Sequence, residues 1–94
     1  MNTGKPQIEK ESEVDVLSQE AREHEIILYN DDVNTFDHVI NTLVAYCDHT
    51  LEQAEQCAYI VHHSGKCVVK TGSYEVLEPI CIKLLEAQLS AEIL

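Results

Sequence analysis

Three consecutive polar residues, Asn30, Asp31 and Asp32, follow a short apolar run and precede a helical pattern. Asn and Asp at such a junction commonly accept hydrogen bonds from backbone N–H groups of their own loop. The same amide and carboxylate oxygens can also bind a cation, either a metal ion or an ammonium group. Because the Asp-x-Asp-x-Asp-Gly spacing of a calcium loop is absent, a metal is the weaker of these two cation interpretations.

A pair of histidines, His62 and His63, stands at the end of a second helical pattern. In one interpretation, one ring caps the last carbonyl groups of the helix and the other is solvated. In the other, His62 faces a site, because Ala58, Val61 and His62 are spaced i, i+3 and i+4 and therefore share one helix face. Zinc is disfavoured, since adjacent histidines rarely bind one ion and no H-E-x-x-H or paired Cys/His spacing occurs.

The four cysteines, Cys47, Cys57, Cys67 and Cys81, include no C-x-x-C pair. Reduced cysteines that act as small apolar core residues are the simplest interpretation. A disulfide or a metal site remains the alternative. No G-x-S-x-G element or cysteine-nucleophile signature accompanies them, so the sequence does not indicate a hydrolase.

The apolar pattern predicts the elements that must position these residues. Residues 25–29 contain a short apolar run and are predicted to form a strand. Apolar residues then recur at helical spacing over residues 36–44. Thr50 and Gln53 make a T-x-x-Q capping box at the start of a second helix, and Gly65 is a natural residue for its end.

The remainder of the chain adds a strand, a helix and a strand. Residues 66–70 are predicted to form a short strand, Ser73 can cap a third helix, and residues 89–94 are predicted to form an edge strand. Pro79 suits a first helical turn, so the regular part of the third helix is predicted to begin at Glu78. The order β-α-α-β-α-β predicts an α+β fold, a two-layer sandwich of three helices on a small three-stranded antiparallel sheet.

The composition limits the class of protein. The 94 residues suffice for one domain and carry 17 acidic against 6 basic residues, a formal net charge of -11. Such acidity disfavours binding to nucleic acids or anionic membranes, and no apolar run reaches the roughly 18–20 residues of a membrane span. No apolar signal segment opens the chain, so a cytoplasmic location is expected. The acidic residues 1–25 are predicted to be a flexible arm and residues 26–94 the folded core.

Two blocks of sequence occur together at a specific spacing, Ile27-Leu28-Tyr29-Asn30-Asp31-Asp32 and Val61-His62-x-x-Gly65-Lys66. With these blocks, residues 26–86 resemble the ClpS family, the adaptor proteins of the bacterial Clp ATPase-protease. The resemblance implies the same fold and a binding function in place of an enzymatic one. It implies recognition of N-degrons, which are proteins whose first residue is Leu, Phe, Tyr or Trp, and their delivery to a Clp unfoldase. It further implies a monomer that needs no cofactor and docks on the N-terminal domain of a ClpA- or ClpC-type unfoldase.

The resemblance also implies a role for each residue of the site. Asn30, Asp31 and His62 match the groups that bind the substrate's α-amino group. Asp32 and Asn34 match positions that support the loop. The walls of a hydrophobic pocket match Phe36, Val39, Ala58, Val61 and Leu89.

The chain departs from the family pattern N-D-D-Y-T-P-M after Asp32, where it reads Val33-Asn34-Thr35-Phe36, and also at Ala58 and Ile80. Phe36 and Ala58 stand where the family has methionines that shape the pocket, so one wall is larger and another smaller. The preference among the four N-terminal residues is therefore open. On the surface used for docking to the unfoldase, the acidic residue is kept as Glu75, but Ile80 replaces a lysine.

Two other classes of function are alternatives at this stage. A small metal-binding or redox protein would use the histidines and cysteines, and elemental analysis with a free-thiol count would detect it. A ribosome-associated domain of similar topology would have no use for the Asn-Asp-Asp and Val-His blocks. In that case Asn30→Ala should leave its function intact.

Overall fold

A computed structural model describes residues 23–94 of the chain. The elements are strand β1 (His24–Tyr29), helix α1 (Phe36–Tyr46), helix α2 (Leu51–Ser64), strand β2 (Lys66–Gly72), helix α3 (Tyr74–Glu86) and strand β3 (Ser90–Ile93). This order confirms the predicted β-α-α-β-α-β arrangement. The predicted arm lies outside the described residues, except for its last three, of which His24 and Glu25 already belong to β1.

The three strands form one antiparallel sheet in the order β2-β1-β3. The central strand is the one with the apolar run, because Ile26, Ile27 and Leu28 are all buried. The register against β2 shifts between Ile26 and Ile27, which produces a bulge next to Val69. The last strand lies at an edge of the sheet, as predicted.

The ends of α2 are set by local sequence. Thr50 and Gln53 form the predicted capping box, in which each side chain accepts a hydrogen bond from the other's backbone N–H. Gly65 ends the helix with φ 92, a left-handed conformation that glycine adopts without the steric cost of a Cβ. The chain therefore turns directly from His62 and His63 into β2.

The prediction that the regular part of the third helix begins at Glu78 is wrong. Ser73 caps α3 as expected, but the helix begins at Tyr74 and Pro79 lies inside it. Proline removes the N–H that would bond the carbonyl of Glu75, four residues earlier. Because Glu75 and Pro79 are both exposed, water can satisfy that carbonyl.

The core between helices and sheet is aliphatic. Its fully buried side chains include Ile26, Leu28, Leu43, Leu77 and Leu84. Each helix contributes residues to this cluster, and all three strands contact it through buried or half-buried residues. Burial of this apolar surface is the main term that holds the two layers together.

Two of the four cysteines complete this core, as their interpretation as small apolar residues predicts. Cys47 and Cys81 are buried, Cys57 and Cys67 are half-buried, and all four thiols are free. Burial raises the pKa of the Cys47 thiol to about 11. Burial, with the nearby Cys67 thiol, raises the pKa of Cys57 to about 12. Since the thiolate is the reactive form, these two thiols are protonated and weakly nucleophilic at neutral pH.

Candidate functional site

Ten predicted site residues line one cavity of about 340 Å³ between β1, α1 and α2. They are Asn30, Asp31, Asp32, Asn34, Phe36, Val39, Ala58, Val61, His62 and Leu89. The cavity also has Leu28 and Tyr29 in its lining, which the sequence prediction missed as site residues. Both belong to the motif block that precedes Asn30, so the block itself was the available signal.

Asn30 is tied to the end of α2. Its backbone N–H donates to the carbonyl of Gly65 over 2.9 Å. The left-handed turn at Gly65 places this carbonyl beside the last turn of the helix, which carries His62. This hydrogen bond extends the pairing of β1 with β2 beyond Tyr29 and Lys66, and it holds the two motif blocks together at the same rim of the cavity.

Asp31 holds the loop that forms one edge of the cavity. Its Oδ1 accepts from the backbone N–H groups of Val33 at 2.9 Å and of Asn34 at 2.8 Å. Its Oδ2 accepts from Nδ2 of Asn34 at 2.8 Å. The hydrogen bond from the Asn34 backbone is the largest of the effects that lower the pKa of Asp31 below its ordinary value, and partial burial opposes it. The loop edge therefore carries a carboxylate that stays ionised at neutral pH.

The residues that support the loop differ in part from the predicted ones. The sequence prediction gave this role to Asp32 and Asn34, and the hydrogen bonds run between Asn34 and Asp31. Asp32 is exposed and lines the cavity, and within residues 23–94 its carboxylate accepts no hydrogen bond. Both carboxylates thus border the cavity. Hydrogen bonds of the loop hold Asp31 in place, whereas Asp32 accepts no hydrogen bond within the described part of the chain.

The loop is also clamped to the turn that follows α3. Nδ2 of Asn34 donates to the carbonyl of Gln88 at 2.8 Å. Nε2 of His38 donates to the carbonyl of Ala87, also at 2.8 Å. Gln88 has φ 70, a left-handed conformation that side chains other than glycine seldom adopt. The clamp stabilises this turn and so places the next residue, Leu89, in the cavity wall.

The walls of the cavity are apolar. Ala58, Val61 and Leu89 are buried, and Val39 is half-buried. Phe36 stands at the mouth, where 44% of its surface is exposed. Of the apolar residues at helical spacing in α1, Leu43 is buried, Val39 and Ile40 are half-buried, and Phe36 and Val44 are exposed. Phe36 and Val39 lie at the N-terminal end of the helix, which borders the cavity.

The electrostatics of the cavity favour a cation attached to an apolar body. Asp31 and Asp32 are its charged lining residues, and no Lys or Arg lies among the described residues that line it. The carbonyl end of α2 adds the negative end of a helix dipole near His62. Within residues 23–94, no group of three His, Cys, Asp or Glu side chains is arranged to hold a metal ion. An organic ammonium group is the cation that this edge suits.

The residues predicted for docking lie away from the cavity. Glu75 is exposed in the first turn of α3, and Ile80 is half-buried and packs against the core. Neither residue lines the cavity. None of the helices in residues 23–94 has the length and apolar character of a membrane span.

Comparison with known proteins places this arrangement in a family. Residues 19–92 match the family model described as ATP-dependent Clp protease adaptor protein ClpS. The chain is 30% identical to the adaptor ClpS of Thermosynechococcus vestitus over 86 residues. This alignment covers 90% of this chain and 92% of that protein. It is also 39% identical over 57 residues to the E3 ubiquitin-protein ligase ubr-1 of Caenorhabditis elegans, 61% of this chain but 3% of that protein.

A solved structure shows the same fold. The chain superimposes on Agrobacterium tumefaciens ClpS2 bound to L-phenylalaninamide with a TM-score of 0.65 and 18% identity. The match covers 77% of this chain and 94% of that one. The similarity confirms the two-layer fold predicted from the sequence.

Proposed function

The chain belongs to the ClpS family of ATP-dependent Clp protease adaptor proteins, and from this we propose that it binds protein substrates by their free N-terminal residue and delivers them to a Clp unfoldase. One observation carries the proposal: a single cavity joins an edge of carboxylate and amide groups to apolar walls. An N-terminal Leu, Phe, Tyr or Trp has the complementary features, an ammonium group beside an apolar side chain.

The loop edge supplies acceptors for the three donors of the ammonium group. We assign the amide oxygen of Asn30, the ring of His62 and the carboxylate of Asp31 to this role. Asp31 already accepts three hydrogen bonds, and a carboxylate has about four acceptor positions, so one remains. Asp32 adds a second negative charge at the same edge. Hydrogen bonds to charged groups contribute roughly 1.5–3 kcal/mol each, and an internal peptide N–H would lose most of this.

The apolar walls then select the side chain. A cavity of about 340 Å³ is larger than the roughly 150 Å³ that accommodates benzene in an engineered protein cavity, so an aromatic ring fits. Burying a Leu or Phe side chain contributes about 1.5–3 kcal/mol, whereas a polar side chain would be desolvated without partners. The phenylalaninamide bound to Agrobacterium ClpS2 has the same two features, a free amine and an aromatic side chain.

We assign the docking of the unfoldase to the face of α3 that carries Glu75. The partner would be the N-terminal domain of a ClpA- or ClpC-type unfoldase, with the adaptor acting as a cytoplasmic monomer. Because Ile80 packs against the core, Glu75 is the side chain of the two that is free to meet a partner. Glu75 is not among the residues that line the cavity, which supports simultaneous binding of substrate and unfoldase.

A panel of fluorescent peptides that differ only in residue one tests the proposal. Peptides that begin with Phe or Leu should bind in fluorescence anisotropy, and peptides that begin with Asp or Gly should not. N-acetylation of the Phe peptide removes the charge and two donors, so it should abolish binding. Equal affinity of the acetylated and free peptides would refute recognition of the α-amino group.

A further inference from the structure

Four exposed rings form a closed cluster at the mouth of the cavity, here called the aromatic rim: Phe36, Tyr59, His62 and His63. The ring centroids are 5.3 Å apart for Phe36 and His62, and 5.2 Å apart for His62 and His63. Tyr59 closes the cluster at 4.5 Å from His63 and 6.5 Å from Phe36. Phe36 and His62 line the cavity, whereas Tyr59 and His63 lie outside it.

The aromatic rim is not part of the hydrophobic core. Aromatic side chains usually dominate protein cores, yet among the described residues the buried core contains none. The single Phe of the chain stands in the rim, and 61% of the surface of Tyr59 is exposed. Exposed apolar surface that continues a ligand cavity indicates contact with a partner.

We propose that the pair Tyr59 and His63 is a subsite for the side chain of the third residue of the substrate, with a preference for an aromatic group. The proposal rests on the proposed function, because it requires residue one to occupy the cavity. The substrate chain then leaves across Phe36 and His62, the two lining residues whose rings neighbour Tyr59 and His63.

The spacing of an extended chain supports this assignment. Alternate side chains of an extended peptide point to the same face, and the rise is about 3.3 Å per residue. The side chain of residue three therefore returns to the protein surface about 6.6 Å beyond residue one. The rings of Tyr59 and His63 lie within one such step of the cavity lining, since the ring centroid of Tyr59 is 6.5 Å from that of Phe36 and that of His63 is 5.2 Å from that of His62. Residue two points away from this surface.

The chemistry of the subsite follows from its two rings. Tyr59 and His63 meet edge to face at an interplanar angle of 68°. A third ring can join such a pair in the offset or edge-on arrangements that aromatic groups prefer. Tyr59 also borders a shallow depression with Ile60, whose half-exposed side chain extends the apolar surface.

Three peptides that begin with Phe test the subsite by fluorescence anisotropy: Phe-Ala-Ala, Phe-Ala-Phe and Phe-Phe-Ala, each followed by one common polar tail. We expect Phe at position three to tighten binding about three- to tenfold over Ala, and Phe at position two to change it less. Equal dissociation constants for Ala and Phe at position three would overturn the proposal, and so would a gain confined to position two. If none of the three binds, the proposed function itself fails.

A double-mutant cycle assigns the preference to Tyr59. Tyr59→Ala should remove the advantage of Phe at position three while leaving the Phe-Ala-Ala peptide nearly unaffected. Tyr46→Ala is the control, because Tyr46 is another exposed tyrosine that does not line the cavity. If the advantage persists in Tyr59→Ala, the subsite is elsewhere.

Discussion

The two sides of the cavity mouth are built in opposite ways. The loop edge is held by hydrogen bonds: Asp31 accepts from backbone N–H groups of its own loop, and Asn34 and His38 donate to backbone carbonyls of the turn after α3. The aromatic rim consists of rings that touch one another and remain exposed. The difference corresponds to what each side would meet: an α-amino group is the same in every substrate, whereas side chains vary. A fixed edge suits the constant group, and adaptable rings suit the variable one.

Filling the cavity should have the largest effect on binding. Ala58→Leu adds three carbon atoms to a buried wall residue that faces the open cavity. We expect the affinity for Phe-initiated peptides to fall about tenfold or more, because the added volume competes with the ligand ring. Isothermal titration calorimetry measures the loss. Ala45→Leu, on an exposed position of α1, is the matched control and should bind as the parent does.

Cutting the clamp should affect both stability and binding. Asn34→Ala removes the donor that joins Asp31 to the carbonyl of Gln88. We expect the free energy of unfolding to fall by about 1–2 kcal/mol, and peptide affinity to fall severalfold as Leu89 loses its fixed position. Urea denaturation measures the first effect and anisotropy the second. Asn41→Ala, exposed on α1, should change neither; unaltered binding in Asn34→Ala would mean that the clamp does not position the wall.

The charge of Asp31 should give the loop edge a pH dependence of stability. Since its pKa is lowered on folding, the ionised form stabilises the protein above the ordinary carboxyl pKa of about 3.9. This contribution is lost as the pH falls through the lowered value. Asp31→Asn should therefore lower Tm by about 2–4 °C at pH 7, a modest effect because the carboxylate is partly exposed, and by less near pH 3.

Differential scanning calorimetry at the two pH values measures this difference. Asp32→Asn is the control, because the exposed Asp32 carboxylate accepts no hydrogen bond within the described residues. A loss of Tm in Asp31→Asn that is the same at both pH values would show that the charge is not what holds the loop.

The rim should contribute least to stability. Tyr59→Ala should change the free energy of unfolding by no more than about 0.5 kcal/mol, since Tyr59 is exposed and outside the core. The same urea titration that detects the clamp measures this change. A loss comparable with that of Asn34→Ala would show that the rim is structural and would remove the contrast between the two sides.

The sequence by itself determined the elements, their order and most of the residues of the site. Helix starts at Thr35, Thr50 and Ser73 and the helix end at Gly65 are local signals, because a cap bonds residues within one turn. The family resemblance likewise selected ten residues that line one cavity, although it missed Leu28 and Tyr29. The prediction for Pro79 was wrong because the free-energy cost of a proline inside a helix depends on whether water can reach the carbonyl four residues earlier. A local sequence pattern does not show this exposure.

Only the tertiary structure determined which contacts each site residue makes. Asn34 meets Gln88, and His38 meets Ala87, across about half the length of the chain. The packing of α1 against the end of α3 determines these partners. Sequence spacing therefore could not predict the loop role of Asp31, the position of Leu89 or the exposure of Phe36. Hydrogen bonds between distant segments and the exposure of a face depend on the assembled layers, and those form only when the whole core is buried.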